Sequence, residues 1–227
     1  MSKKSLFFVN SFTGGGAERV CFDLIRESCR SQVAKVVVLD GSDDYGGLPE
    51  NCEVLNLGIE PALSNRARIC RIAAALPKVN GFIGSLDSYD VISAHLNMSQ
   101  LLARLSKASR RTLYVMHGAQ KSSDPHRSVF RRVALHAAFD RRQLVCVFRG
   151  IEDERVLDYG FRREQCATIY NPLDLGKIRG LLERDPNVAP GRPYFLAAGR
   201  LDKIKRYDRL IDVYFQGRFF ERYDLVI

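Results

Sequence analysis

The chain has 227 residues, 46% of them hydrophobic, with 35 Lys and Arg against 26 Asp and Glu, six Cys and no Trp. That composition excludes collagen-like, disordered and disulfide-scaffold classes, and the length suffices for a core burying about 70% of the unfolded surface. The net charge of +9 is uneven, with 15 basic and 4 acidic side chains in residues 61–150 and 26 Arg to 9 Lys overall, a bias that suits bidentate phosphate contacts or an anionic membrane.

Short β-branched or aromatic runs alternate with amphipathic stretches of helix length. The periodicity predicts a strand over Leu6–Asn10, a helix over Ala17–Arg30, and strands at Lys35–Asp40 and Glu53–Leu57. A helix near Ala67–Pro77, a strand at Asp90–Ala94, a helix over Ser99–Ser109 and a strand at Thr112–Met116 follow. Next come a helix over His126–Phe139, a strand at Leu144–Phe148, a helix over Ile151–Tyr159 and a strand at Cys166–Tyr170. Strands of four to six residues separated by helices predict an α/β protein, a doubly wound parallel sheet covered on both faces. Leu182–Pro193, with Pro186, Pro190, Gly191 and Pro193 and no apolar period, breaks the rhythm. The pattern restarts with a strand at Tyr194–Ala198, a helix over Arg206–Phe215 and a strand at Asp224–Ile227. The domains expected are therefore a Rossmann-like domain over 1–175, a linker over 176–193, and a second Rossmann-like domain begun over 194–227. No apolar run reaches the 18 or more residues of a membrane span, and Met1-Ser2-Lys3-Lys4 precedes too short an apolar run for a signal peptide. The six cysteines form no CxxC pair and are read as reduced packing residues of a cytoplasmic protein.

Thr13-Gly14-Gly15-Gly16-Ala17-Glu18-Arg19 lies between the first strand and the first helix. Glycines there let the backbone approach an anion at a helix N-terminus, although the spacing is neither GxGxxG nor a P-loop. Gly199-Arg200-Leu201-Asp202-Lys203-Ile204-Lys205 also follows a strand. Its Arg200 and Lys205 are placed to neutralise a diphosphate without a metal, or are solvated surface cations. His117 in Met116-His117-Gly118 and His95 in Ala94-His95-Leu96 each follow a strand, where a histidine faces a cleft or serves as a hydrogen-bonded structural residue. Ile169-Tyr170-Asn171-Pro172-Leu173-Asp174 is a turn that stops a strand.

The combination GGGAERV, MHG, IYNPLD and GRLDKIKRYDRL, in that order, resembles a family 4 glycosyltransferase of the GT-B fold, and in particular bacterial enzymes of lipopolysaccharide, O-antigen or capsule assembly. The resemblance implies a retaining transferase that moves a sugar from a nucleotide donor, UDP-hexoses being the commonest, onto a glycan or lipid-linked acceptor, with no metal or other cofactor. Gly15 and Gly16 match the glycines near the donor diphosphate, Arg200 and Lys205 the pair that binds it, His117 a cleft histidine near the transferred sugar, and Asn171 the domain crossover. His95 is the acceptor-side candidate. Phe148-Arg149-Gly150 stands where the family has Ser-x-Gly, and the family's E-x7-E element lies downstream of the strand at 224–227. The chain is thus expected to be truncated within the donor domain, with little activity alone.

On the helix over His126–Phe139, Val129, Phe130, Val133, Ala134 and Ala137 share one side, flanked by Arg127, Arg131 and Arg132. A helix lying on an anionic membrane at the inner face of the cell membrane has this pattern, as does an amphipathic helix packed on the sheet. Two other readings compete with a transferase. One is a non-catalytic module that binds an acceptor or partner. The other, remote, is a nucleic-acid-binding protein, for which no helix-turn-helix, zinc or aromatic-stacking signature is present.

Overall fold

The computed structural model describes residues 4–119, 133–184, 191–201, 203 and 205–227, with the side chains of Lys177 and Arg184 left aside. The chain divides into two units, Met1–Pro172 and Leu173–Ile227.

The first unit runs β1 (Lys4–Val9), α1 (Gly16–Ser31), β2 (Val33–Val38), β3 (Cys52–Asn56), α2 (Asn65–Ile83), β4 (Val91–His95), α3 (Asn97–Leu105) and β5 (Leu113–Met116). It continues with α4 (133–139), β6 (Gln143–Cys146), α5 (Arg149–Asp153, prolonged by a π-helical turn over Glu154–Asp158) and β7 (Cys166–Thr168). The seven strands form one sheet in the order β3-β2-β1-β4-β5-β6-β7, every pairing parallel. The order reverses at β1, which has β2 on one side and β4 on the other. This is the doubly wound arrangement expected, with the carboxyl ends of β1 and β4 flanking the switch point where such sheets bind ligands.

β1 shows why its sequence reads as a continuous apolar run. Leu6 and Phe8 point into one core with Ile72, Val79, Ile83 and Leu102. Phe7 and Val9 point into the other with Cys21, Phe22 and Ile25 of α1. A strand buried on both faces has no polar alternation to display. Phe8 is fully buried in the larger core. Phe8→Ala is expected to lower the unfolding free energy by about 3–5 kcal/mol, through lost transfer energy and the cavity left behind. Urea unfolding followed by circular dichroism measures it, and a loss under 1 kcal/mol would mean that the sheet centre is less tightly packed than this.

The end of α2 differs most from the sequence reading. The helix expected to stop at Pro77 runs through it to Ile83, with Pro77 inside. Proline there forfeits one backbone hydrogen bond, and the buried Val79 and Ile83 beyond it supply the compensating contacts. The helix starts at a Ser64 cap, whose side chain accepts from the Ala67 N–H at 3.3 Å, and ends where Gly84 takes φ +66°. Coverage of the second sheet face is also incomplete. Beside α1 an apolar groove of about 420 Å³ runs along Phe7, Ser93, Val115 and Val145. The winding direction reverses at β1, which sends α1 and α3 to opposite faces, and the groove lies where α1 ends its cover.

The second unit comprises α6 (Leu175–Arg184), β8 (Tyr194–Leu196), α7 (Tyr207–Gln216) and β9 (Asp224–Val226), with β8 parallel to β9. Much of the stretch read as a linker over 176–193 is therefore helix. None of its described residues is buried, and Leu196, Val213 and Phe215 are all more than half exposed. Among the described residues no helix of either unit is long and apolar enough to cross a membrane.

Candidate functional site

The site of the first unit is built from three strand ends. At the end of β1 the chain turns through Gly14, whose φ of +40° suits glycine. The Gly14 N–H donates to Asp44 Oδ2 at 2.8 Å, and the Tyr45 hydroxyl donates to the Gly15 carbonyl at 3.0 Å. Asp43 accepts from the N–H groups of Tyr45 and Gly47, both at 2.7 Å. Gly15 is the cap of α1 and has no side chain to satisfy the first turn, which begins at Gly16. A Cβ on Gly15 would strike the Glu18 carboxylate, whereas one on Gly16 would meet nothing of the protein. The space beside the Gly16 Cα is thus open, while the Gly14 amide is engaged by the Asp44 carboxylate and the Gly15 amide by the Thr13 carbonyl at 2.6 Å. Sequence reasoning missed Asp43, Asp44 and Tyr45. Their signal was a turn-rich Asp-Asp-Tyr-Gly-Gly stretch 30 residues from the glycines.

His95 closes β4 and His117 follows β5. These strands are neighbours in register His95 to Val115, so a residue two beyond Val115 projects to the same side as His95. The rings meet, with His95 Nδ1 3.0 Å from His117 Nε2 and His95 Nε2 3.1 Å from Ser93 Oγ. Burial, and secondarily His117, pushes the His95 pKa down to about 3. Burial also pushes His117 below the ordinary imidazole value. Both rings are therefore neutral at pH 7; His95 has both nitrogens engaged, by His117 and Ser93, which leaves His117 Nδ1, buried and without a partner among the described residues, as the pair's remaining polar atom. His117 lines a cavity of about 220 Å³ with Leu96, Asn97, Gln100 and Met116.

The wall of that cavity is held by residues the sequence reading did not single out. Asn10 Oδ1 accepts from the Ser99 N–H at 2.9 Å, tying the end of β1 to α3. Gln100 Nε2 donates to the Val115 carbonyl at 2.8 Å. Leu96, the cap of α3, takes φ +72°, a left-handed conformation that costs a branched residue on the order of 1–3 kcal/mol and is held by its surroundings. In the loop that replaces Ser-x-Gly, Phe148 is partly exposed, and a Cβ on Gly150 would strike its ring.

Asn171 lies just past β7 and, with Tyr170 and Pro172, forms one wall of the sheet-face groove that His95 also reaches. Arg127, Arg131 and Arg132 lie outside the described residues. Arg200 and Lys205 belong to the second unit, on the loop between β8 and α7. A Cβ on Gly199 would come within 2.9 Å of the Tyr207 hydroxyl and 3.5 Å of the Lys205 stem, so glycine permits their close approach. A cavity of about 580 Å³ beside that loop is lined by Leu201, Lys203, Arg206, Tyr207 and Asp208, and Arg206 is paired with Asp208 at 3.3 Å. The structure thus brings His95 and His117 into contact at the sheet edge that also carries the glycines.

The family model described as Glycosyltransferase Family 4 matches residues 14–177. The chain belongs to glycosyltransferase family 4. No curated protein sequence matches this family 4 chain. Among solved structures, a glycosyltransferase from Rickettsia africae aligns at TM-score 0.63 and 14% identity, over 99% of this chain and 60% of that one. Anabaena HepE, in complex with UDP and glucose, aligns at 0.61 and 19%, over 94% and 58%. WaaG, a glycosyltransferase involved in lipopolysaccharide biosynthesis, aligns at 0.61 and 14%, over 98% and 62%. The family 4 chain has the GT-B fold and spans about 60% of the length of these relatives.

Proposed function

We propose that this family 4 chain carries the acceptor-side domain and the beginning of the donor domain of a retaining glycosyltransferase. The enzyme moves a sugar from a nucleotide sugar, taken to be a UDP-hexose, onto a glycan or lipid-linked acceptor of a bacterial surface polysaccharide. The observation that carries the reading is a neutral, cavity-lining His117 at the carboxyl edge of a parallel sheet, on the edge that also holds the glycine turn at the start of α1. A neutral imidazole can hydrogen-bond a sugar hydroxyl and strengthen that bond as positive charge develops on the sugar. Gly15 and Gly16 present backbone to the diphosphate at the start of α1. Arg200 and Lys205 neutralise the departing charge in place of a metal, His95 sets the orientation of His117, and Asn171 stands at the crossover between domains. The UDP and glucose of HepE and the lipopolysaccharide role of WaaG support the donor and product classes. The protein works in the cytoplasm, peripheral to the inner face of the membrane, which Arg127, Arg131 and Arg132 contact.

The test is a panel of nucleotide sugars assayed for nucleotide release with a form extended to the length of the relatives. Turnover of at least one UDP-sugar is expected, undiminished by EDTA. If the extended form binds and turns over none of them, the transferase reading is wrong and a non-catalytic acceptor-binding module takes its place.

A further inference from the structure

We propose that Cys21, His95 and His117 form a binding site for a borderline-soft transition-metal ion, with Zn2+ the ion their donor set suits best. One ligand atom from each residue lies within 4.8 Å of the others. The three come from separate elements, α1, the end of β4 and the loop after β5, so the site exists only in the folded protein. With Zn–N bonds of about 2.0–2.1 Å and Zn–S of about 2.3 Å, tetrahedral donors stand about 3.3–3.6 Å apart. The imidazole nitrogens, now 3.0 Å apart, need open by only a few tenths of an ångström. The thiol needs to close by at most about 1.5 Å to reach that spacing.

The hydrogen bonds around the pair already suit a metal. His95 Nε2 faces Ser93 Oγ at 3.1 Å. A proton on Nε2 donated to that hydroxyl leaves the Nδ1 lone pair aimed at His117, the outer-shell arrangement that fixes a ligating histidine. His95 is held from the side by Phe7, whose ring stacks on it at 6.5 Å between centroids. Without metal, His117 Nε2–H donates to His95 Nδ1. With metal, the ion takes the place of that shared proton, bound by His95 Nδ1, His117 Nε2 and the Cys21 thiolate. The His117 proton moves to Nδ1, which is buried with no protein partner among the described residues, and the Cys21 thiol proton passes to solvent. One proton is released for each ion bound. Three protein ligands leave one tetrahedral position open.

Binding of the ion does not depend on the proposed transfer reaction. If that reaction is correct, an occupied site takes His117 away from the sugar, and the ion is an inhibitor of transfer.

The test uses the 227-residue chain after removal of bound metal. Co2+ serves first as a spectroscopic probe, and Zn2+ is then titrated against a chromophoric chelator. One equivalent of ion is expected, with a sulfur-to-cobalt charge-transfer band. Affinity should fall about 100-fold or more in Cys21→Ser and in His117→Ala, since losing even an outer-shell partner costs about 10–100-fold. Cys70→Ser, which removes the exposed thiol, should leave binding unchanged. Should Cys21→Ser fail to fold, His117→Ala carries the same comparison, because His117 is only partly buried. Absence of stoichiometric binding, or binding that survives loss of His117 or follows Cys70, would overturn the site.

Discussion

In a form of the enzyme with a complete donor half, Arg200→Ala combined with Lys205→Ala is expected to lower sugar transfer by at least about 10²–10³-fold, the cost of removing a single preorganised charge-stabilising donor. The loss should fall on kcat more than on KM, because the leaving diphosphate gains charge as the glycosidic bond breaks and the two cations act most strongly at that point. Both residues sit on the short loop between β8 and α7, where Gly199 lets the Lys205 stem and Tyr207 pack closely. Transfer within about threefold of the parent by the double variant would remove Arg200 and Lys205 from the diphosphate site.

Acid should weaken the protein well before its carboxylates protonate. His95 has a folded pKa near 3 against an ordinary value of 6.5, so between those values the unfolded chain binds a proton that the folded chain refuses. Stability therefore falls as pH drops below about 6.5, by up to about 1.4 kcal/mol per pH unit. From pH 7 to pH 5 His95 alone accounts for about 2 kcal/mol, and His117, shifted the same way by burial, adds to it. Glu152 and Asp208 are shifted down from 4.5 and 3.8, so their stabilisation is lost only at lower pH and the window isolates the histidines. Urea midpoints at both pH values, with a chelator present, give the slope for the wild type and for His95→Asn. Equal slopes in the two proteins would mean that His95 is protonated in the folded state.

The strands were largely legible because a parallel sheet covered on both faces writes its strands as apolar runs, as Leu6–Val9 and Val36–Leu39 do. The helix ends were less so. Pro77 looked like a stop, and only the burial of Val79 and Ile83 shows why the helix passes it. Residues 175–184 lacked a boundary signal and turned out helical. At the site, His95 and His117 were each visible as strand-end histidines, but their contact depends on β4 pairing with β5 in one particular register. Cys21 was read only as packing, since its proximity to both rings comes from the way α1 lies on the sheet. Asp44 is 30 residues from the glycine whose amide it holds. Local pattern cannot reveal such pairings, because they are fixed by topology rather than by sequence spacing.

The position of β1 has a consequence for synthesis. β1 is an inner strand of the finished sheet, and one of its two edges pairs with β4, some 85 residues later. Until that segment emerges, the Leu6-Phe7-Phe8-Val9 backbone has no native neighbour on one side, even after β2 has docked on the other. Parallel pairing over such a separation carries a loop-closure cost and is slow. During that interval an apolar, β-prone edge stands ready to pair with another nascent chain. The arrangement that puts the switch point beside β1 therefore also makes β1 the strand most dependent on protection while the chain is being made.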